Sequence, residues 1–187
     1  MWIEPMPSAP VFGPPASRPA AVPVFSPIPA ASPTQSPTVT LAAAPELIEN
    51  GSFEGSADGW RGSNSALELV RGVEGQAVRV KRTNSRDAFA LIAGKPVTSP
   101  RAGEDYRAGA LVRSASPGMF VCLRAEEFTK GNRVPVTTER CAAATTGWQR
   151  LKVESHSTAK GSKLVFSVRV IAALGGMSFD VDGFRLT

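Results

Sequence analysis

Side chains that could catalyse a reaction are sparse in this chain of 187 residues. The single histidine, His156, lies in the polar stretch VESHSTAKGS, where a solvated side chain is expected and no serine–histidine–aspartate relay is indicated. Glu126 and Glu127 are adjacent, and neighbours on a strand point to opposite faces, so they form no acid–base pair. Zinc-ligand spacings and a glycine-rich phosphate loop are absent from the sequence. We therefore expect a protein that is not an enzyme.

Acidic residues near both ends of the chain's less proline-rich part indicate metal binding instead. Glu49, Glu54 and Asp58 come early, and Asp180 and Asp182 come late. The first and last strands of a β-sandwich often lie side by side, so carboxylates and backbone carbonyls could meet there around a hard cation such as Ca²⁺. Solvated turn carboxylates are the alternative, and the residues by themselves leave both open.

A second set of polar side chains alternates with apolar residues along four stretches of the chain. Where Val, Leu and Phe point to a core, the side chains pointing away from it are Arg79, Lys81, Arg113, Arg124, Glu126 and Arg169. If these strands share one sheet, the guanidinium groups line a surface with forked donors suited to hydroxyls or carboxylates. A face merely made soluble by basic residues is the alternative. Trp60 and Trp148 could stack on sugar rings, or pack in the core or at its rim.

The two cysteines can be placed by the hairpin that surrounds them. KGNR, residues 130–133, is a turn signal, and a two-residue loop centred on Gly131 and Asn132 sets Cys122 directly opposite Cys141. Opposed Cβ atoms approach to about 4.5–5.5 Å, so we expect a disulfide rather than two free buried thiols. The pair would point outward and leave the core face to its neighbours. A disulfide indicates an oxidising compartment.

The elements that would position these residues are β-strands. QAVRVKR, YRAGALVR, MFVCLRAE, KLVFSVRVI and GMSFDVDGFRL alternate with a period of two and are separated by Gly, Pro and Asn. The expected inward residues are Val78, Val80, Val121, Leu123, Leu164, Phe166, Val168, Val170, Phe179, Val181 and Phe184. A sustained period of 3.6 residues is absent, so the pattern predicts an all-β sandwich or barrel without long helices.

The composition divides the chain into two parts. Residues 1–45 hold twelve of the 16 prolines and only two charged residues, Glu4 and Arg18. Proline fixes φ and removes backbone donors, so we expect a disordered Pro/Ala/Ser/Thr-rich linker there, followed by one folded domain at 46–187.

Charge and hydropathy narrow the choice of partners and location. The net charge of +5 permits nucleic acid as a partner, but no run of basic residues supports it, and we expect none. No stretch has the roughly 20 apolar residues of a membrane span, and no basic n-region marks a signal peptide. Linkers of this composition typically tether exported modules. We therefore expect a secreted or cell-surface protein whose export signal is not visible in this chain.

Four stretches of residues 46–187 resemble carbohydrate-binding modules of the family 4/9/22 type. They are LIENGSFEGSADGW at 47–60, GEDYRAGALVRS at 103–114, TTGWQRLKVE at 145–154 and MSFDVDGFRLT at 177–187. The first is similar to the family's opening Asn-Gly-x-Phe-Glu segment, and the last to its closing strand. The resemblance implies a jelly-roll β-sandwich of two antiparallel sheets, related to galactose-binding-like domains.

The resemblance also implies a set of site residues. In the family a structural Ca²⁺ commonly ties the first strand to the last, which implies Glu54 and Asp182 as side-chain ligands, although Gly183 stands where a second Asp is usual. Sugars bind the family's concave face through aromatic and polar groups. The implied ligand-binding residues are Trp60, Arg79, Tyr106, Arg113, Arg124, Glu126 and Arg169.

We therefore hypothesise a noncatalytic carbohydrate-binding module of an exported protein, which binds a polysaccharide or glycan and is tethered to a catalytic or cell-surface domain. The alternative is a structural or protein-interaction β-sandwich that binds no sugar. Two tryptophans and one tyrosine in the predicted domain favour this alternative, because sugar grooves are usually aromatic.

Overall fold

The computed structural model describes residues 46–86, 88–116, 118–171 and 176–187, so the predicted linker at 1–45 lies outside the described residues. Within these ranges there is no helix, and hence none long and apolar enough to span a membrane. The strands are β1 Trp60–Ser63, β2 Ser65–Arg71, β3 Gln76–Arg82, β4 Ala88–Ala93, β5 Val97–Thr98, β6 Asp105–Arg113, β7 Phe120–Phe128, β8 Val136–Ala143, β9 Gln149–His156, β10 Lys163–Ile171 and β11 Ser178–Leu186.

The strands form two antiparallel sheets that face each other across one core. The front sheet has the order β1-β4-β10-β7-β8, with the short β5 paired to β10. The back sheet has the order β2-β3-β11-β6-β9. The chain passes repeatedly from one sheet to the other, which gives a jelly-roll sandwich. The predicted all-β fold class is confirmed.

The core lies between the sheets and follows from the period-two alternation. Each sheet sends every second side chain inward, and each large apolar side chain that is buried stabilises the fold by about 1.5–3 kcal/mol. The inward residues predicted on β3, β7, β10 and β11 are all at most 1% exposed. Their positions are confirmed.

The segment before β1 is held against the last strand by a close backbone approach. The Phe184 N–H donates to the Gly51 carbonyl at 2.8 Å, and the Leu47 N–H donates to the Leu186 carbonyl at 3.2 Å. Gly51 is buried, and a Cβ there would lie 1.9 Å from the Phe184 carbonyl oxygen. We call residues 47–53 and their partner β11 the clasp.

Three aromatic rings fill the space that the clasp closes. Phe53 is fully buried, and its ring centroid lies 5.3 Å from that of Trp60. Trp60 meets Phe184 edge-on at 4.9 Å and donates its indole N–H to the Asn50 carbonyl at 3.1 Å. Trp60 is therefore a core residue with a satisfied N–H, not an aromatic platform at the surface.

The cysteine hairpin has the predicted register. Cys122 on β7 pairs directly with Cys141 on β8, and the two form a disulfide with a Cα–Cα distance of 4.0 Å. The predicted two-residue loop is wrong, because the last β7–β8 pair is Glu127 with Val136 and residues 128–135 connect the strands. A longer loop that conserves the residue pairing leaves the register unchanged.

We expect Gly51→Ala to destabilise the domain by about 2–3 kcal/mol, because the added Cβ must push residues 47–53 away from Phe184. The urea midpoint of the purified domain measures this. Gly147→Ala is the matched control, since its Cβ would meet nothing closer than the Thr145 hydroxyl at 3.9 Å. Equal effects of the two substitutions would contradict a structural role for the clasp.

Candidate functional site

The predicted ligand-binding residues are divided between the two outer faces of the sandwich. Arg124 and Glu126 on β7 and Arg169 on β10 lie on the front sheet, whereas Arg79 on β3 and Arg113 on β6 lie on the back sheet. The condition for one continuous surface, that their strands share one sheet, is therefore not met. Alternation shows which side chains of a strand point outward, but not which strands become neighbours.

The two aromatics implied as sugar-stacking residues lie in the core. Trp60 is 8% exposed and Tyr106 is 3% exposed. Tyr106 points inward because it lies in phase with Ala108, Ala110 and Val112 on β6. Neither ring offers a face to an external ligand.

Two arginines of the back sheet form ion pairs with one buried carboxylate. Asp180 on β11 is 4% exposed and accepts from Arg79 at 2.8 and 3.1 Å and from Arg113 at 2.9 Å. Arg113 also donates to the Arg71 carbonyl and lies 4.4 Å over the ring of Trp148. The hydrogen bond with Asp180 raises the pKa of Arg79. This cluster stabilises the fold and leaves few donors for a ligand.

The front sheet carries an open cleft of about 250 Å³ across its outer face. The cleft-lining residues come from β1, β4, β7 and β10 and from the turn after β1. They are Ser63, Asn64, Ala88, Phe89, Ala90, Ile92, Glu126, Ser167 and Arg169. The outward alanines of β4 make the space, because they are paired on β10 with the longer side chains of Arg169 and Ile171.

Strand register arranges the outer front face in rows. One row, the Arg169 row, runs across five strands as Ser63, Ala90, Arg169, Cys122 and Cys141. The next row holds Arg61, Ile92, Ser167, Arg124 and Glu139. Arg169 thus has a small side chain on one side and the disulfide on the other, with Arg124 in the adjacent row.

The two front-sheet arginines differ sharply in their partners. Arg124 donates from Nε to Glu139 at 2.8 Å, and its Nη1 lies 3.4 Å from Glu126. The Nε of Arg169 is buried and has no hydrogen-bond partner among the described residues. Burial and the neighbouring Arg124 charge lower the pKa of Arg169, while Glu139 and Glu126 partly offset this. Buried donors are nearly always satisfied, so this one needs an explanation.

Glu127 shows that the adjacent glutamates have separate roles, as their alternation predicts. Glu126 lines the front cleft, whereas Glu127 is 3% exposed and accepts from the Thr158 N–H at 2.7 Å and from its hydroxyl at 2.8 Å. Burial by itself would raise the pKa of Glu127, but donors of the loop after β9 lower it overall. Glu127 fixes that loop and is not part of the cleft.

Two exposed phenylalanines on the front face were not identified from the sequence. Phe120 and Phe128, at the ends of β7, are 62% and 38% exposed. They share the phase of Arg124 and Glu126, so the alternation of FVCLRAEEF was the signal for their outward direction. They are the exposed aromatic side chains on the described part of this face.

The two carboxylates implied as metal ligands meet at one cleft beside the back sheet. Glu54 and Asp182 both line it, and both lie against the turn between β2 and β3. Asp182 accepts from the Val73 N–H at 2.8 Å, and Glu54 accepts from the Gln76 N–H at 3.2 Å. The other oxygen of each carboxylate has no hydrogen-bond partner in the described part of the chain. Carboxylate oxygens of this kind are the ligands that a hard cation such as Ca²⁺ prefers.

Comparison with known proteins supports the fold assignment. No family model and no curated protein matches the sequence. A family 61 carbohydrate-binding module, solved in complex with β-1,4-galactotriose, matches with a TM-score of 0.53 at 20% identity and covers 77% of this chain and 99% of that chain. The CBM22-1 xylan-binding domain of Paenibacillus barcinonensis Xyn10C matches with a TM-score of 0.59 at 15% identity, over 77% of this chain and 94% of that chain.

A third solved structure extends the comparison to another module family. The family 11 carbohydrate-binding module from Clostridium thermocellum, in complex with a β-1,3-1,4-mixed-linked tetrasaccharide, matches with a TM-score of 0.55 at 12% identity. It covers 75% of this chain and 94% of that chain. The chain therefore has the jelly-roll β-sandwich fold that these carbohydrate-binding modules also have.

The contrast between Asp180 and Arg169 leads to a stability prediction. We expect Asp180→Asn to destabilise the domain by about 2–3 kcal/mol, because two guanidinium groups lose a buried partner while keeping some contact with solvent. Arg169→Met should leave stability unchanged or raise it, because it removes a half-buried charge that lacks a hydrogen-bonded partner. Urea unfolding of both variants measures this, and a large loss in Arg169→Met would contradict the contrast.

Proposed function

We propose that this domain is a noncatalytic carbohydrate-binding module that binds a polysaccharide or glycan on the outer face of the front sheet. The observation that carries the proposal is Arg169, which lines an open polar cleft and whose guanidinium has no hydrogen bond or ion pair among the described residues. A sugar oxygen in the cleft would supply an acceptor for this guanidinium. The jelly-roll fold supports the proposal, because the similar solved modules include two in complex with oligosaccharides.

Binding in this cleft relies on hydrogen bonds more than on stacking. Arg169 donates, Glu126 accepts, and the hydroxyls of Ser63 and Ser167 lie on the same lining. Phe89, the aromatic residue in the lining, is 1% exposed and belongs to the core. A shallow cleft without an aromatic floor buries little of a sugar chain, so we expect modest affinity.

Location and attachment follow from the disulfide and the composition. A disulfide persists in oxidising compartments, so we propose an exported protein, secreted or at the cell surface. The proline-rich residues 1–45 would tether the module to a catalytic or cell-surface domain. Such a tether raises the effective concentration of that partner domain at the polysaccharide.

A structural or protein-interaction role is the second candidate. One specific observation favours it, namely exposed apolar side chains at the β7–β8 end of the front sheet. These are Phe128 at 38%, Val134 at 78% and Val136 at 50% exposure. A partner protein covering this end would need no sugar in the cleft.

Affinity electrophoresis against galactan, xylan, mixed-linkage β-glucan and acidic polysaccharides tests the proposal. We expect at least one polymer to retard the domain, and Arg169→Met to weaken that binding about tenfold or more, since it removes a charged hydrogen bond. Arg185→Met is the matched control, because Arg185 is exposed on the back sheet. Failure of every polymer to bind would favour the structural role.

We also propose that Glu54 and Asp182 hold a structural Ca²⁺ between the segment before β1, the β2–β3 turn and β11. Both carboxylates lie at one cleft, and each retains an oxygen that the described residues leave without a hydrogen bond. When bound, the ion would join three segments distant in sequence. Backbone carbonyls would supply its remaining ligands, since Gly183 offers no carboxylate.

Calcium removal should therefore lower the melting temperature of the domain. At calcium 100 times its dissociation constant, we expect a chelator to cost about 2.7 kcal/mol, or about 10 °C. Asp182→Asn should abolish this calcium dependence, while Asp105→Asn, at an exposed position on β6, should retain it. Melting curves with and without chelator measure this, and an unchanged melting temperature of the wild-type domain would refute the ion.

A further inference from the structure

We infer that the front cleft selects acidic sugars, with the carboxylate of a uronic acid docking against the guanidinium of Arg169. The inference rests on the proposed carbohydrate-binding function and names its ligand class. It follows from how the charges and donors of the front sheet are distributed.

The acidic side chains closest to Arg169 on the front sheet are already paired with another arginine. Glu139 accepts from Arg124 at 2.8 and 2.7 Å, and Glu126 lies 3.4 Å from another nitrogen of the same guanidinium. Glu139, in the row of Arg124, and Glu126, in the row beyond it, are thus both directed at Arg124. Arg169 lies on the same outer face of the front sheet, but it has no ion pair and no hydrogen bond among the described residues.

The described residues around Arg169 are mostly uncharged or cationic. Its row neighbours are Ala90 and Cys122, which carry no charge, and the adjacent row brings Arg124 near it. Arg61 is exposed in that adjacent row, and Arg86 reaches the cleft-lining Asn64 at 3.4 Å. Cations therefore border the cleft, while Glu126 is the acidic residue among the described residues of its lining.

An anionic ligand and a neutral ligand differ in how well they would compensate the charge of Arg169. A hydroxyl can accept from the Arg169 guanidinium, but it leaves the half-buried positive charge without a counter-charge. A carboxylate accepts the same hydrogen bond and supplies that counter-charge. Hydrogen bonds between ionised partners are roughly twice as strong as neutral ones. The cleft is therefore more complementary to an acidic sugar than to a neutral one.

The geometry of the guanidinium favours a carboxylate in particular. The geometry of a guanidinium is a planar fork of paired N–H donors, and the described residues leave that of Arg169 without a hydrogen bond. Two parallel donors match the two oxygens of a carboxylate. The alanines of β4 line the cleft together with Arg169, and an open volume of about 250 Å³ suits one sugar ring rather than a long chain segment.

The charge of the whole domain could also attract any polyanion without using the cleft. The net charge is +5, and the back sheet presents Arg150, Lys152 and Arg185 around one cleft. A test of the inference must therefore separate fork geometry at Arg169 from charge alone. Arg169→Lys does this, because it keeps the charge and loses the paired donors.

Isothermal titration at physiological salt is the experiment. The ligands are polygalacturonate, alginate and hyaluronan as uronates, fully methyl-esterified polygalacturonate as the matched neutral polymer, dextran sulfate as a sulfate ester, and galactan and xylan. We expect at least one uronate to bind, with about tenfold or greater preference over the neutral polymers. Arg169→Lys should weaken that binding about tenfold, and Arg185→Lys should not change it.

Each contrary outcome overturns a distinct statement. Arg169-dependent binding of neutral polymers only would refute the acidic ligand and leave the carbohydrate-binding function intact. Preference for dextran sulfate that depends on Arg169 would refute the carboxylate. Binding of all polyanions that is unaffected by Arg169→Lys would show attraction by net charge alone. Absence of binding to every polymer would refute the carbohydrate-binding function itself.

Discussion

The sandwich depends on a backbone contact between its opening segment and its last strand. The Gly51 carbonyl accepts from Phe184, and the approach leaves no room for a side chain at Gly51. This contact places Phe53 and Trp60 against Phe184 and closes one end of the core. Because Trp60 is used there, the outer surfaces lose an aromatic ring that a sugar could have stacked on. The chemistry left to the front cleft is therefore that of arginine, glutamate and small polar side chains.

Arginine side chains have different partners on the two outer faces of the sandwich. On the back sheet, Arg79 and Arg113 enclose Asp180, so their charges contribute to the fold and are neutralised by it. On the front sheet, Arg124 is neutralised by glutamates, whereas Arg169 keeps an unsatisfied donor. An unsatisfied buried group lowers stability, and proteins tolerate such costs mainly where function requires them. An arginine that is paired with a carboxylate stabilises the fold, whereas an arginine without such a partner remains available to a ligand.

Local patterns predicted most of the strands and the inward residues, because alternation is a property of neighbouring residues. The register of the cysteine hairpin was predicted for the same reason, since Cys122 and Cys141 are only 19 residues apart. Partners far apart in the chain were not predictable in this way. Arg79 meets Asp180 across 101 residues, and no local signal shows that β3 and β11 are neighbours. The inward direction of Tyr106 was present in its phase with Val112, but its residue type suggested a binding role.

The disulfide has a consequence for the cleft beyond linking two strands. It lies next to Arg169 in the same row, so one flank of the guanidinium is a cystine whose side chains are covalently joined. Joined side chains have lost their rotamer freedom before any ligand arrives, and Cys122 is 3% exposed beside the arginine. A ligand that docks at the proposed site would not have to order these two side chains, which would favour binding entropically. The cross-link would thus pre-organise the proposed binding surface as well as the fold.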